Sequence, residues 1–289
     1  MQATLPPLVS ADELAAALPD GRILVLDATT RLTVSADGQP YTVTPDRDGY
    51  RAEHLPGAVF ADVAGVLSDP DSRFSFTLPA PDRFAAAAGA LGIGDDTHVV
   101  AYDVATTAWA TRVWWLLRVF GHDAVSVLDG GLAAWKAAGH PVDAGDVLAP
   151  TASFTARFRP ELVADKAEVR RISEGGGRLV NALEPATFRG EAEKNPYPRR
   201  GRIPGSTNLP SRTLLDPTTG RFLDRPALRE KLQEGGILSS DRTVTYCGGG
   251  IAATVPAFAA YVVDGTELAV YDGSLTEWTA DPSLPVQVG

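Results

Sequence analysis

Cys247 is the only cysteine in the 289-residue chain, and it stands in the stretch RTVTYCGGGIAATVPAF, residues 242–258. The run Thr243-Val244-Thr245-Tyr246 is rich in β-type residues and leads straight into the thiol. Gly248, Gly249 and Gly250 follow, and then a small apolar segment with helical character. A glycine turn between a strand and a helix lets a ligand approach the main chain closely. It also gathers backbone N–H groups around one point, and the helix dipole adds to their field. An anion there is stabilised, and the thiolate is the reactive form of cysteine. The loop Cys247, Gly248, Gly249, Gly250, Ile251, Ala252 therefore reads as a nucleophile in an anion cradle. Two other readings stand beside it. One is an inert buried cysteine, a common fate of free thiols. The other is a dinucleotide-binding glycine loop, but the G-x-G-x-x-G spacing is absent.

The elements that must position this loop occur twice. Residues 53–63 (EHLPGAVFADV) echo 201–210 (GRIPGSTNLP), 98–103 (HVVAYD) echo 243–247 (TVTYC), and 128–135 (LDGGLAAW) echo 271–278 (YDGSLTEW). Pro56 and Pro204, Asp103 and Cys247, and Trp135 and Trp278 lie 148, 144 and 143 residues apart. Three matches in one order at nearly one spacing indicate a duplicated domain. In each half, short apolar strands alternate with helical stretches, which predicts a parallel α/β sheet with helices on both faces. The expected division is residues 1–142, a linker over 143–160, and 161–289. The first copy carries Asp103 at the cysteine position and lacks the glycines, so the second copy is expected to hold both nucleophile and cradle.

Composition narrows the function. Hydrophobic residues make up 44% and charged residues 21%, and the net charge is -10. That acidity argues against a nucleic-acid binder. It leaves room for a small anionic substrate, because a pocket can be locally positive on an acidic protein. A lone cysteine forms no internal disulfide. No basic leader or long apolar run suggests secretion or membrane insertion, so a cytoplasmic protein is expected.

Taken together, these segments, with FRGEAEKNPYPRRGRIPGSTNLP (residues 188–210) and VTYCGGGIAAT (244–254), resemble the tandem-domain rhodaneses, the thiosulfate and 3-mercaptopyruvate sulfurtransferases. The resemblance covers nearly the whole chain. It implies two rhodanese-like domains, the first catalytically silent. It implies sulfur transfer through a persulfide on Cys247, cradled by backbone N–H groups of residues 248–252. The donor would be a small sulfane-sulfur anion. The acceptor would be cyanide, a small thiol or a protein thiol. No metal, organic cofactor, nucleic acid or membrane is implied.

The chain also departs from the family. Mercaptopyruvate enzymes place a hydroxyl residue where Gly249 stands, and thiosulfate enzymes place cations after the cysteine. An Asp and a His from the first domain assist in the former group. Asp62 matches the Asp, whereas Phe76 stands at the His. Arg189, Arg199, Arg200 and Arg202 are the candidates for holding an anionic donor, because arginine suits carboxylates and sulfonates. These departures leave a low-turnover persulfide carrier or interaction module as the alternative function. A cysteine phosphatase is disfavoured, because no Arg closes a Cys-x5-Arg loop.

Overall fold

The computed structural model describes residues 5–34, 41–104, 106–238 and 242–289. Two five-stranded sheets form, and every pairing in them is parallel. The first contains β1 (Leu8–Val9), β2 (Ile23–Asp27), β5 (Val59–Phe60), β6 (His98–Tyr102) and β7 (Val125–Leu128). A separate antiparallel hairpin consists of β3 (Thr30–Thr33) and β4 (Thr42–Pro45). The second sheet contains β8 (Val163–Ala164), β9 (Arg178–Asn181), β10 (Ser206–Asn208), β11 (Thr243–Tyr246) and β12 (Ala269–Tyr271). Helices connect the strands, as parallel pairing requires. Strand order is β1-β7-β6-β2-β5 in one sheet and β8-β12-β11-β9-β10 in the other. These are the same order, copy for copy, so the duplication read from the sequence is a duplication of topology.

Individual hydrogen bonds repeat as well. The Tyr102 hydroxyl accepts from Leu55 N–H at 3.2 Å, and the Tyr246 hydroxyl from Ile203 N–H at 3.1 Å. Trp135 Nε1 donates to the Pro141 carbonyl at 2.7 Å, and Trp278 Nε1 to that of Pro285 at 2.8 Å. Each indole thus fixes the chain leaving its domain, which answers the need of a buried Trp N–H for a partner.

The halves join through the helices that follow the two loops. Helix Ala108–Val119 is buried at all twelve positions, Arg112 and Arg118 included. It packs on helix Thr254–Asp264: Thr111 Oγ1 and Thr254 Oγ1 lie 2.8 Å apart, and Trp114 meets Phe258 edge to face at 5.0 Å. Pro256 falls in the first turn of its helix, where the missing N–H has no intrahelical partner to lose. A reciprocal tie completes the junction. Asp129 of the first half accepts Phe222 N–H of the second, and Asp272 of the second accepts Leu78 N–H of the first. Residues 143–160 run along the first half: Ala152 N–H donates to Gly89, Arg157 N–H to Phe120, and Phe154 packs edge-on to Phe84.

Candidate active site

Cys247 directly follows β11, a central strand buried along its whole length, so the thiol sits at the carboxyl end of the second sheet. Ligands bind at such ends in open α/β sheets. Cys247 is 2% exposed, and the three glycines are buried beside it. Gly250 has φ +77, and a Cβ there would press to 2.8 Å from the Asp272 carbonyl, so the turn requires glycine at this position.

The loop is anchored from behind. Ser274 Oγ accepts from Cys247 N–H at 3.0 Å and Gly250 N–H at 3.2 Å, and donates to the Tyr271 carbonyl at 2.8 Å. Thr276 donates to the Gly248 carbonyl through both its N–H and its hydroxyl. Among the described residues, no acceptor takes the N–H groups of Gly248, Gly249, Ile251, Ala252 and Ala253. Backbone N–H groups in a turn of this kind are suited to hold an anion. One of the expected cradle donors, Gly250, is committed to Ser274 instead, as is the N–H of Cys247.

The first half supplies the roof. Phe76, at φ +66, lies with its ring 3.2 Å from where a Cβ on Gly249 would stand. Trp109 meets Phe76 edge-on at 5.3 Å, and Tyr41 stacks on it at 6.5 Å. Arg112 clamps roof to loop. It is fully buried, pairs with Asp272 at 2.6 Å, and donates to the carbonyls of Phe76 at 2.5 Å and Gly250 at 3.2 Å. Beyond Phe76 opens a cleft of ≈ 410 Å³ lined in part by Asp62, Arg73, Phe74 and Ser75. Asp62 caps its own turn by accepting Gly65 N–H at 2.8 Å; among the described residues no contact joins it to Cys247.

The silent loop corrects one expectation. The first copy has kept the cradle and filled it with its own side chain. The Asp103 carboxylate accepts N–H groups from Thr106, Thr107, Trp109 and Ala110 at 2.8–3.1 Å. At the 144-residue spacing, these donors match Gly250, Ile251, Ala253 and Thr254. A fixed carboxylate thus marks where an anion sits in this fold.

The four arginines expected at the pocket go elsewhere. Arg199 donates to the carbonyls of Trp278, Thr279, Asp281 and Leu284. Arg200 donates to Ala192 and Glu193, and Arg189 pairs with Glu191 at 2.7 Å. Arg202 lies over the Phe188 ring and donates to the Gly289 carbonyl. The chain end leaves a row of carbonyls without strand partners, and guanidinium groups, with five donors each, are suited to satisfy them. The residues that do reach the loop, namely Arg112, Ser274, Thr276, Tyr41 and Tyr197, were not singled out by motif. The repeat carried a signal for two of them. Where the first copy has Gly131 and Ala133, the second has Ser274 and Thr276, so the hydroxyls change together with the nucleophile.

Comparison with known proteins agrees with this geometry. The rhodanese-like domain family matches residues 10–138 and again 166–281. A 3-mercaptopyruvate sulfurtransferase of Escherichia coli is 35% identical over 284 residues, 96% of this chain and 97% of that one. A thiosulfate sulfurtransferase of Gallus gallus is 33% identical over 274 residues, 94% and 92% of the two chains. The crystal structure of an Escherichia coli 3-mercaptopyruvate sulfotransferase superposes with a TM-score of 0.79 at 33% identity, covering 93% of this chain and 98% of the other.

Proposed function

The chain belongs to the rhodanese-like family and is a tandem-domain sulfurtransferase, and from that premise we propose that Cys247 carries the sulfur and that 3-mercaptopyruvate is the preferred donor. The Cys247 thiolate attacks the donor sulfur. The bond from that sulfur to carbon breaks, and its electron pair enters the adjacent carbonyl as an enolate. The enolate takes up a proton to become pyruvate, and Cys247 holds a persulfide. An acceptor thiolate or cyanide then attacks the outer sulfur, leaves as a persulfide or thiocyanate, and returns the thiolate.

The observation that carries this reading is the loop's N–H groups beside Cys247, two of which, Ile251 and Ala253, correspond to Thr107 and Trp109, donors that hold the Asp103 carboxylate in the first copy. Preformed donors of this kind favour the anionic persulfide. The donor preference follows from charge. The buried cation at the loop, Arg112, is already engaged by Asp272 and two carbonyls. A leaving sulfite concentrates negative charge and wants a cation, whereas an enolate is served by neutral hydrogen-bond donors. Because Cys247 is 2% exposed beneath aromatic rings, the acceptor is slim: cyanide or a small thiol.

Cys247→Ser is expected to abolish release of thiocyanate, and mass spectrometry is expected to find one extra sulfur on Cys247 after donor alone. The kcat/KM for 3-mercaptopyruvate should exceed that for thiosulfate by about tenfold or more. Turnover by the serine variant, or a preference for thiosulfate, would contradict the respective part.

A further inference from the structure

Two tyrosine hydroxyls stand directly on the glycine turn. A Cβ on Gly248 would overlap the Tyr197 hydroxyl and come within 3.0 Å of its ring carbon Cζ. A Cβ on Gly249 would be 3.2 Å from the Tyr41 hydroxyl. The two phenols therefore occupy the space that side chains at 248 and 249 would take. One comes from each half of the chain, and their rings meet edge-on at 6.2 Å. Tyr197 is held in a rigid Pro196-Tyr197-Pro198 segment, and Asn195 Nδ2 donates to its carbonyl at 2.6 Å.

Their hydroxyls form a directed chain. Thr276 Oγ1 has one proton and gives it to the Gly248 carbonyl at 2.6 Å, so the Tyr41 hydroxyl donates to Thr276 at 2.8 Å. The Tyr41 oxygen is then an acceptor, and the single proton of the Tyr197 hydroxyl, at the end of the chain, rests on Tyr41 until a stronger acceptor at the loop takes it. Both phenols also feel Cys247 electrostatically. Burial pushes the Tyr41 hydroxyl up to about 12 and that of Tyr197 well above its ordinary value, so both keep their protons at any working pH. Phe76 and the glycines, which also crowd the loop, carry no side-chain donor.

We infer that the Tyr197 hydroxyl is the side-chain hydrogen-bond donor to the carbonyl oxygen of an α-keto acid sulfur donor as its carbon–sulfur bond breaks, and that Tyr41 is the positioning residue that holds it. This rests on the reading of Cys247 above. As the electron pair of the broken bond moves into the carbonyl, the oxygen becomes an enolate. A neutral phenol placed there in advance stabilises the transition state more than the ground state. The proton that completes pyruvate comes from water after departure, and the tyrosine is unchanged. The second half-reaction, discharge of the persulfide by cyanide, forms no enolate and has no use for this donor.

The two half-reactions therefore separate the roles. Loading of Cys247 by 3-mercaptopyruvate is followed in a single turnover by mass spectrometry. Discharge by cyanide is followed on protein loaded with inorganic polysulfide. Tyr197→Phe should slow loading by about 10²–10³-fold, the usual loss of an oxyanion donor, and leave discharge within about threefold. Tyr41→Phe should slow loading less, again sparing discharge. Tyr41→Phe also covers the case in which Tyr197→Phe fails to fold. Loading at the unmodified rate in Tyr197→Phe, or loading and discharge slowed alike, overturns the inference. If the unmodified protein gains sulfur on Cys247 from neither 3-mercaptopyruvate nor polysulfide, the reading of Cys247 itself fails, and this inference with it.

Discussion

At Ser274, one hydroxyl accepts N–H groups from both sides of the cysteine turn and donates to the strand below, so all its hydrogen-bonding capacity is used inside the protein. The residue is fully buried and held at φ +49, an uncommon conformation for a non-glycine side chain. Ser274→Ala removes only the hydroxyl, and with it the acceptor of two N–H groups and the donor to the Tyr271 carbonyl. Two buried N–H groups are then left without a partner, which costs about 1–3 kcal/mol. The urea midpoint should fall accordingly, with an unchanged slope, and sulfur loading on Cys247 should slow as the turn loosens. An unshifted midpoint would mean that water replaces the hydroxyl and that the turn is held by Thr276 alone.

Each helix that begins after a loop does two things: it closes the cradle at its N-terminus and buries its apolar length against the other helix. That dual role places the cysteine at the junction of the halves. Arg112 is the clearest consequence, because a residue on the first-half helix satisfies a carboxylate and a carbonyl of the second-half loop. At the 144-residue spacing its counterpart is Pro256, which cannot return the contact. Removing one partner of a buried pair leaves the other charge uncompensated. Arg112→Met should therefore destabilise the protein by about 3–5 kcal/mol and lower activity, because Phe76 loses the donor to its carbonyl. Chemical denaturation and steady-state assays check this; a variant as stable and active as the parent would remove Arg112 from the clamp.

Across the whole molecule, the first half contributes no nucleophile, but it builds the roof and clamp, and its stability governs the site. Two of its histidines, the buried His122 and the half-buried His98, set how that stability responds to acid. His98 and His122 both lie below their ordinary value, chiefly through burial, and each is further depressed or offset by neighbouring charge. His98 is bonded through Nε2 to Ser126 Oγ at 2.9 Å, whereas His122 Nε2 has no partner among the described residues. The unfolded chain takes up these protons near pH 6.5 and the folded chain refuses them until lower pH. Stability is thus full above about pH 6.5 and falls as pH drops toward the folded values. His122→Phe, which keeps a ring beside Phe154, should flatten that acid-side slope in a melting-temperature series. An identical slope would place the acid sensitivity in the carboxylates.

The sequence by itself determined what is local or repeated in register. The strand–Cys–glycine–helix turn, the two-copy α/β topology and Asp103 at the cysteine position were all readable, because periodicity, turn chemistry and internal repeats are written in neighbouring residues. What surrounds the thiol was decided only in three dimensions. Tyr41, Phe76, Arg112, Tyr197 and Ser274 converge on residues 247–250 from segments far apart in the chain. No local pattern distinguishes a tyrosine on a loop that reaches the sulfur from one that faces solvent. Conversely, the arginines nearest in motif to the pocket were drawn to other acceptors, Arg199 and Arg202 to backbone carbonyls of residues 278–289, Arg200 to those of Ala192 and Glu193, and Arg189 to the Glu191 carboxylate. Backbone groups that must be satisfied on burial compete for every donor within reach, and only the folded chain sets which donors are within reach.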